Sequence, residues 1–299
     1  MTGTTVVNRT RFWIMAVRPK TLSASAAPVL IGAGLAGYHA VFKLIPVLAT
    51  LVCAILIQIG TNFANDYYDF LHEADTETRV GPIRVTQSGL IPPNQVWWGM
   101  VITLFMSFLI GIYLFSVGGW PILWIGVTSI ICAVVYTGGP YPLAYHGLGD
   151  LFVFLFFGLI AVGGTYWIQA LGFSGDVFLA GVGIGSLNTA ILVANNVRDI
   201  ETDAVAGKKT IAVRIGRYGS RIEYVLLVGM GFLVPVLGVA VYGWPKLSLS
   251  ALGASVLLVA PLTLVLTKDS ASELMPALSG TARVVALYGI LLSLGLAFG

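Results

Sequence analysis

Two acidic clusters break an otherwise acid-poor chain: Asn62-Phe-Ala-Asn-Asp66-Tyr-Tyr-Asp69-Phe-Leu-His-Glu73-Ala-Asp75 and Asn195-Asn-Val-Arg-Asp199-Ile-Glu-Thr-Asp203. Of the 13 Asp and Glu, eight fall within 66–77 or 199–203. Each cluster closes a long apolar stretch, where a carboxylate is costly unless something cationic compensates it. Several carboxylates held together repel, and the relief is protonation or a bound cation. Residues i and i+4 share a helix face, so Asn195, Asp199 and Asp203 form one stripe if the helix outlasts the apolar run. Asn62, Asp66 and Asp69 form a similar stripe at i, i+4 and i+7. Magnesium takes one or two carboxylates and fills its shell with water and phosphate oxygens. Arg79 and Arg84 follow the first cluster, and Arg198, Lys208, Lys209 and Arg214 surround the second. Acids suited to a metal beside bases suited to phosphate point to a magnesium-bridged diphosphate. One DxxxD at a helix end carries little weight; two in matching positions, each with an in-register Asn, carry the signal.

The elements that must position these acids are membrane helices. Hydrophobic residues make up 57% of the 299 residues and charged residues 10%, against roughly 25% charged in a soluble domain, and the mean hydropathy is +0.91. No short apolar region with a small-residue cleavage site follows the polar start, so the first apolar segment is a span rather than a secretory signal. A spanning helix needs about 20 apolar residues, which gives nine spans: 22–40, 44–65, 96–117, 120–137, 150–170, 176–197, 222–242, 246–267 and 283–298. The predicted fold is an all-α integral membrane bundle of nine transmembrane helices, a single domain over 1–299.

The long connections, 66–95, 138–149, 198–221 and 268–282, then share one face, and that face carries all the Lys and Arg except Lys43 and Lys246. The positive-inside rule makes it cytoplasmic, which places both acidic clusters at the cytoplasmic side of a bacterial inner membrane. Topology accounts for the basic excess, and no basic-aromatic pattern of a nucleic-acid reader is present. Cys53 and Cys132 lie inside spans without metal-ligand spacing and read as packing residues. Gly32-Ala-Gly34-Leu-Ala-Gly37 lacks the strand-to-helix context of a dinucleotide site; it reads as close helix packing, as does the Gly181 and Gly185 pair.

An allylic polyprenyl diphosphate suits such a site. Metal and bases stabilise the departing diphosphate, an apolar channel takes the tail, and an aromatic lining stabilises the allyl cation. Tyr67, Tyr68, Tyr136, Tyr141, Tyr145 and Trp167 are candidates for that lining, with Tyr136 and Tyr141 preferred. The acceptor is less defined by the residues themselves.

Several segments together resemble the UbiA-type membrane prenyltransferases: Arg18-Pro-Lys-Thr-Leu22, the first acidic cluster with Asp75, Arg79-Val-Gly-Pro-Ile-Arg84-Val-Thr-Gln-Ser-Gly89, Gly139-Pro-Tyr-Pro-Leu-Ala-Tyr145-His-Gly-Leu-Gly-Asp150, and the second cluster continuing to Arg214. Within that superfamily the chain is most similar to the members that prenylate 1,4-dihydroxy-2-naphthoate. The resemblance implies nine membrane helices, magnesium as cofactor, and a polyprenyl diphosphate and 1,4-dihydroxy-2-naphthoate as substrates. It carries the metal-diphosphate acids onto Asp66, Asp69, Asp75, Asp199 and Asp203, with Glu73 an alternative to Asp75. It makes Asn62 and Asn195 their polar partners; by position, Arg79, Arg84, Arg198, Lys208 and Lys209 are the bases for the diphosphate, and Lys20, Arg18 and Arg84, near the cytoplasmic face, are candidates for the acceptor's carboxylate. Asp150, where the family often has Glu, is a further substrate-side residue without an assigned role. The implied reaction is electrophilic aromatic substitution with loss of carbon dioxide.

Rival readings stand beside this one. A transporter places its charges near the bilayer midplane at broken helices, whereas these cluster at one face. A phosphotransferase acting on nucleotide-linked alcohols expects a compact DGxxAR-type segment, which is missing. A sibling prenyltransferase acting on 4-hydroxybenzoate or homogentisate differs only in its acceptor. Asp66→Asn and Asp199→Asn, assayed in nanodiscs at saturating magnesium, are each expected to abolish prenyl transfer; near-parental turnover removes that residue from the mechanism.

Overall fold

The computed structural model describes residues 9–72, 81 and 83–299. A short helix α1 (Arg9–Val17) leads through a turn at Arg18 into α2 (Leu22–Tyr38), followed by α3 (Leu44–Leu71), α4 (Pro93–Gly118) and α5 (Trp120–Val135). The next rod is α6 (Gly149–Phe154), a π-helical stretch Leu155–Ile160, and α7 (Ala161–Ala170). Then come α8 (Gly175–Val205), α9 (Ile211–Tyr242), a 3-10 run Lys246–Ala254 feeding α10 (Ser255–Thr267), and α11 (Ala271–Phe298). Among the described residues eight helical segments are long and apolar enough to cross a bilayer, and the apolar Trp120–Val135 is a shorter ninth. The chain is an integral membrane protein with the expected all-helical architecture.

Among the described residues two large apolar cores divide the bundle, beside a small third cluster of Leu114, Ile122 and Ile168. One gathers α2, α8, α9, α10 and α11 around residues such as Ile31, Leu187, Tyr224, Val285 and Leu292. The other gathers α1, α3, α4 and α5 around Phe63, Val96, Met100 and Leu104. The first acidic motif ends a helix of one core and the second ends a helix of the other, so the motifs face each other across the seam. Large apolar side chains such as Trp98, Phe105 and Ile112 on α4 remain exposed on the rim, as a lipid-facing surface requires.

Glycines let the rods approach closely. A Cβ on Gly158, in the π-helical stretch, would stand 2.5 Å from Gly185 Cα and 2.6 Å from the Gly181 carbonyl oxygen. On α2, a Cβ at Gly32 would meet the Val162 carbonyl at 2.9 Å, and one at Gly34 the Ser293 carbonyl at 2.6 Å. The glycine pairs are therefore packing devices.

At the end of the bundle away from the motifs, short turns are stapled together. Asp176 accepts from Trp244 Nε1 at 3.2 Å and pairs with His39 Nε2 at 3.2 Å, while Trp167 Nε1 donates to the Gly118 carbonyl at 2.8 Å. At the motif end three of the four expected long connections are shorter than read. α3 runs to Leu71, α8 to Val205, and α11 begins at Ala271 rather than near 283. Charged residues end a hydropathy window but not a helix, because their side chains reach water while the backbone ladder continues. Gly158→Leu forces backbones apart and is expected to lower the melting temperature of the detergent-solubilised protein by several degrees, as overpacking costs about 1–3 kcal/mol. Gly229→Ala, with open space around it, is expected to leave the melting temperature unchanged.

Candidate active site

Between the two motif helices lies a chamber of about 540 Å³, lined by Asp69, Asn65 and Asn62 from α3 and by Asn195, Asn196, Asp199 and Asp203 from α8. Its rim carries Arg18, Lys20, Arg84, Tyr145 and Lys208. A second chamber of about 180 Å³, almost wholly apolar, runs deeper between α3, α5 and the α6–α7 rod past Phe152, Phe156, Ile125 and Leu114. Gln58, Thr61, Tyr136, Val153 and Phe157 line both chambers and form the neck between them.

The carboxylates are compensated by internal cations. Lys208 Nζ lies 3.6 Å from Asp69 Oδ1 and 3.8 Å from Asp203 Oδ1, so one ammonium joins the two motifs. Arg84 Nη2 donates to Asp69 Oδ2 at 2.6 Å and Tyr145 OH donates to Asp69 Oδ1 at 2.7 Å. Asp199 takes a bidentate fork from Arg198, whose Nη2 also donates to Asn195 Oδ1 at 2.8 Å. Buried Asp69 and half-buried Asp203, on different helices but within reach of the same cation, form an oxygen-donor set suited to a hard divalent ion. Among the described residues no three His, Cys, Asp or Glu close around a metal by themselves. An ion here would complete its shell from outside the protein, as magnesium usually does on phosphate oxygens.

Local backbone geometry delivers the bases. Arg18 sits in the left-handed region at φ 52°, turning the chain between α1 and the Pro19–Thr21 turn so that its guanidinium comes within 3.7 Å of Asp66. Gly207, at φ 73°, ends α8 and swings Lys208 back over the site, where its ammonium stands 4.7 Å above the Tyr145 ring. Lys209 N donates to the Tyr145 carbonyl at 2.8 Å, and Arg214 Nη2 donates to the His146 carbonyl at 2.7 Å. The 143–147 turn and the 207–214 connection are thus tied into one cover.

Several expected residues lie elsewhere. Asp66 is buried outside the chamber wall, accepting from the Thr86 amide at 3.0 Å and the Val85 amide at 3.3 Å; it pins the 85–89 turn that presents Arg84. Arg198 is 2% exposed and points at Asp199 and Asn195 instead of the chamber. The Lys209 side chain is exposed, and its backbone makes the contacts. Tyr141 is 57% exposed and stacks on His146 outside the chamber, whereas Tyr136 stands in the neck. Asn62 lines the wall, but its Nδ2 donates to the Val17 carbonyl at 2.8 Å and so anchors α1. Glu73, Asp75 and Arg79 lie outside the described residues. Asn65, Asn188 and Gln58 line the chamber and had no place in the sequence reading. Asn65-xxx-Asp69 repeats the spacing of Asn195-xxx-Asp199, a signal hidden by the equally spaced Asn62-xxx-Asp66.

A helical membrane bundle with two facing Asp-rich helix ends defines a class, and the chain belongs to the UbiA prenyltransferase family, whose model matches residues 25–296. It is 36% identical to the 1,4-dihydroxy-2-naphthoate octaprenyltransferase of Haemophilus influenzae, covering 97% of this chain and 96% of that one. The protein of the same name from Bacillus subtilis is 32% identical, with 93% of this chain and 90% of that one covered. Among solved structures, a UbiA homolog from Aeropyrum pernix K1 superposes with a TM-score of 0.71 at 15% identity, over 90% of this chain and 96% of that one. A UbiA homolog from Archaeoglobus fulgidus bound to GPP and Mg2+ superposes with a TM-score of 0.64 at 15% identity, over 94% and 99%. These superpositions establish the shared fold.

Asp66→Asn weakens two amide contacts to a charged acceptor, each worth roughly 1.5–3 kcal/mol. It is expected to speed limited proteolysis within 83–91 and lower the melting temperature.

Proposed function

We propose that the chain, acting as one prenyltransferase domain over 1–299, transfers a polyprenyl group from polyprenyl diphosphate to 1,4-dihydroxy-2-naphthoate with loss of carbon dioxide. The observation that carries this reading is the Lys208 ammonium bridging Asp69 and Asp203, which brings the two motifs to one ligand-sized space above an apolar channel. The choice of acceptor is supported by the full-length similarity to the naphthoate octaprenyltransferases.

In this reading Asp69, Asp199 and Asp203, with Asn65 and Asn195 beside them, would hold magnesium, which supplies charge neutralisation on the diphosphate. Arg84 and Lys208, which pair with Asp69 and Asp203, would move onto diphosphate oxygens. The prenyl tail lies through the neck into the apolar chamber. Water is scarce there, and the Tyr136 ring faces the allylic carbon as its bond to oxygen lengthens; an aromatic face stabilises such a cation by about 0.5–2 kcal/mol. Lys20, exposed on the rim, takes the acceptor's carboxylate. The chamber opens to the cytoplasm of a bacterial inner membrane, an orientation supported by Lys43 and Lys246, the two cations of the opposite end. The lipid bilayer is the solvent of the outer helix faces; nucleic acid has no part in this reading.

The test is an assay of the purified full chain in nanodiscs with a polyprenyl diphosphate and dihydroxynaphthoate, 4-hydroxybenzoate or homogentisate. The expected product is the prenylated naphthoquinol, lighter by carbon dioxide than simple addition; EDTA is expected to stop its formation and magnesium to restore it. Asp69→Asn is expected to cost about a hundredfold or more in kcat/KM. Product from 4-hydroxybenzoate alone overturns the assigned acceptor.

A further inference from the structure

The chamber wall is supplied with hydrogen-bond acceptors that the protein leaves unfilled. Asp150 is 6% exposed, lines the chamber, and its Oδ1 has no hydrogen-bond partner. Asn188, 2% exposed on α8, spends both amide hydrogens on the Ala24 and Phe157 carbonyls at 3.0 and 2.9 Å, which fixes its orientation and leaves Oδ1 unpartnered. Gln58 is oriented the same way. Asn62 Nδ2 donates to the Val17 carbonyl, so Asn62 Oδ1 must accept, from Gln58 Nε2 at 3.3 Å, and Gln58 Oε1 is left over. An unfilled buried acceptor costs about 1–3 kcal/mol. Three such acceptors, on α3, α6 and α8, line one chamber; they fit a ligand that brings hydroxyl donors, and a dihydroxylated aromatic ring does so.

Of the three, only Asp150 can take a proton. It sits one residue beyond Gly149, against which the Tyr136 hydroxyl packs: a Cβ on Gly149 would stand 3.0 Å from that oxygen. Asp150 therefore lies on the wall beside the neck, where the prenyl carbon enters from the apolar side. Asp69, Asp199 and Asp203 are occupied by Arg84, Arg198 and Lys208, whereas no cation among the described residues pairs with Asp150.

We propose that Asp150 is the base that receives the proton of the acceptor's ring hydroxyl beside the carboxylate, with the acceptor's second hydroxyl donating to Asn188 or Gln58. This deepens the function proposed above and rests on it. As the ring carbon bearing the carboxylate bonds to the allylic carbon, the electron pair of the neighbouring O–H bond becomes the C=O bond and the proton passes to Asp150. The pair of the breaking C–O bond leaves on the diphosphate. The resulting β-keto carboxylate loses carbon dioxide; the released pair re-forms the ring and returns charge to the oxygen, which takes its proton back from Asp150. No external acid, base or oxidant is consumed.

The test compares parental protein, Asp150→Asn and Asp150→Glu in nanodiscs with dihydroxynaphthoate, a polyprenyl diphosphate and magnesium. Asp150→Asn is expected to lower kcat about a hundredfold or more, the scale of a lost general base. Its calorimetric affinity for polyprenyl diphosphate with magnesium is expected to stay within about twofold, and Asp150→Glu to recover at least about a tenth of parental kcat. The methyl ether of the hydroxyl adjacent to the carboxylate is expected to give no product with any of the three. The proposal is overturned if Asp150→Asn keeps kcat within about threefold, if it loses diphosphate affinity in step with kcat, or if the methyl ether is prenylated. If the parental protein prenylates a different phenol instead, the assigned acceptor falls, and the same comparison on that phenol decides the role of Asp150.

Discussion

Everything in this structure turns on holding several carboxylates in a small, poorly hydrated space. Asp69 and Asp199 are 2% and 7% exposed, and carboxylates at that burial persist as anions only beside cations. The chain supplies those cations from within: Arg84 from the turn after α3, Arg198 from the same helix as its partner, and Lys208 from the connection after α8. In the function proposed above, these pairs hold the acids ready before substrate arrives. The basic bias of this end of the bundle therefore has a local reason in addition to its topological one.

The bundle is arranged to keep that space accessible. Because the two motif helices belong to different apolar cores, the space between them is a seam rather than a packed interior, and it can admit a ligand without unpacking either core. The glycine contacts at Gly158, Gly181 and Gly185 join the rods tightly along their length. The His39–Asp176–Trp244 staple closes the far end. What remains open is the motif end and the apolar chamber reached through the neck, a polar headgroup site continuous with a greasy channel. That pairing is the shape of an amphiphile with a diphosphate at one end.

The cover over the site is built from backbone as much as from side chains. Lys209 and Arg214 contribute through the Tyr145 and His146 carbonyls, which sets Tyr145 against Asp69 and Lys208 against the Tyr145 ring. Asp66 plays the matching part on the other side, where two amides of the 85–89 turn hold it and so fix Arg84. Conspicuous charged residues around an active site thus divide into those that face the ligand and those that hold the loops presenting them.

How far this was legible from sequence follows from the reach of each force. Hydropathy over about 20 residues reports a bilayer's thickness directly, so the spans, the helical class and the sidedness of charge were readable, as was the pairing of the two acidic motifs. Charge truncated the reading of α3, α8 and α11, because hydropathy measures solvent preference and not backbone hydrogen bonding. Helical spacing could not choose between Asp66 and Asp69, since Asn62–Asp66 and Asn65–Asp69 both obey i, i+4 and only the rotation of α3 against α1 and the 85–89 turn sends Asp69 inward and Asp66 away. The same holds for Tyr141 against Tyr136, and for the unfilled acceptors of Asp150, Asn188 and Gln58. Those are matters of which long-range partner each polar atom finds, and such partners exist only once distant segments have packed.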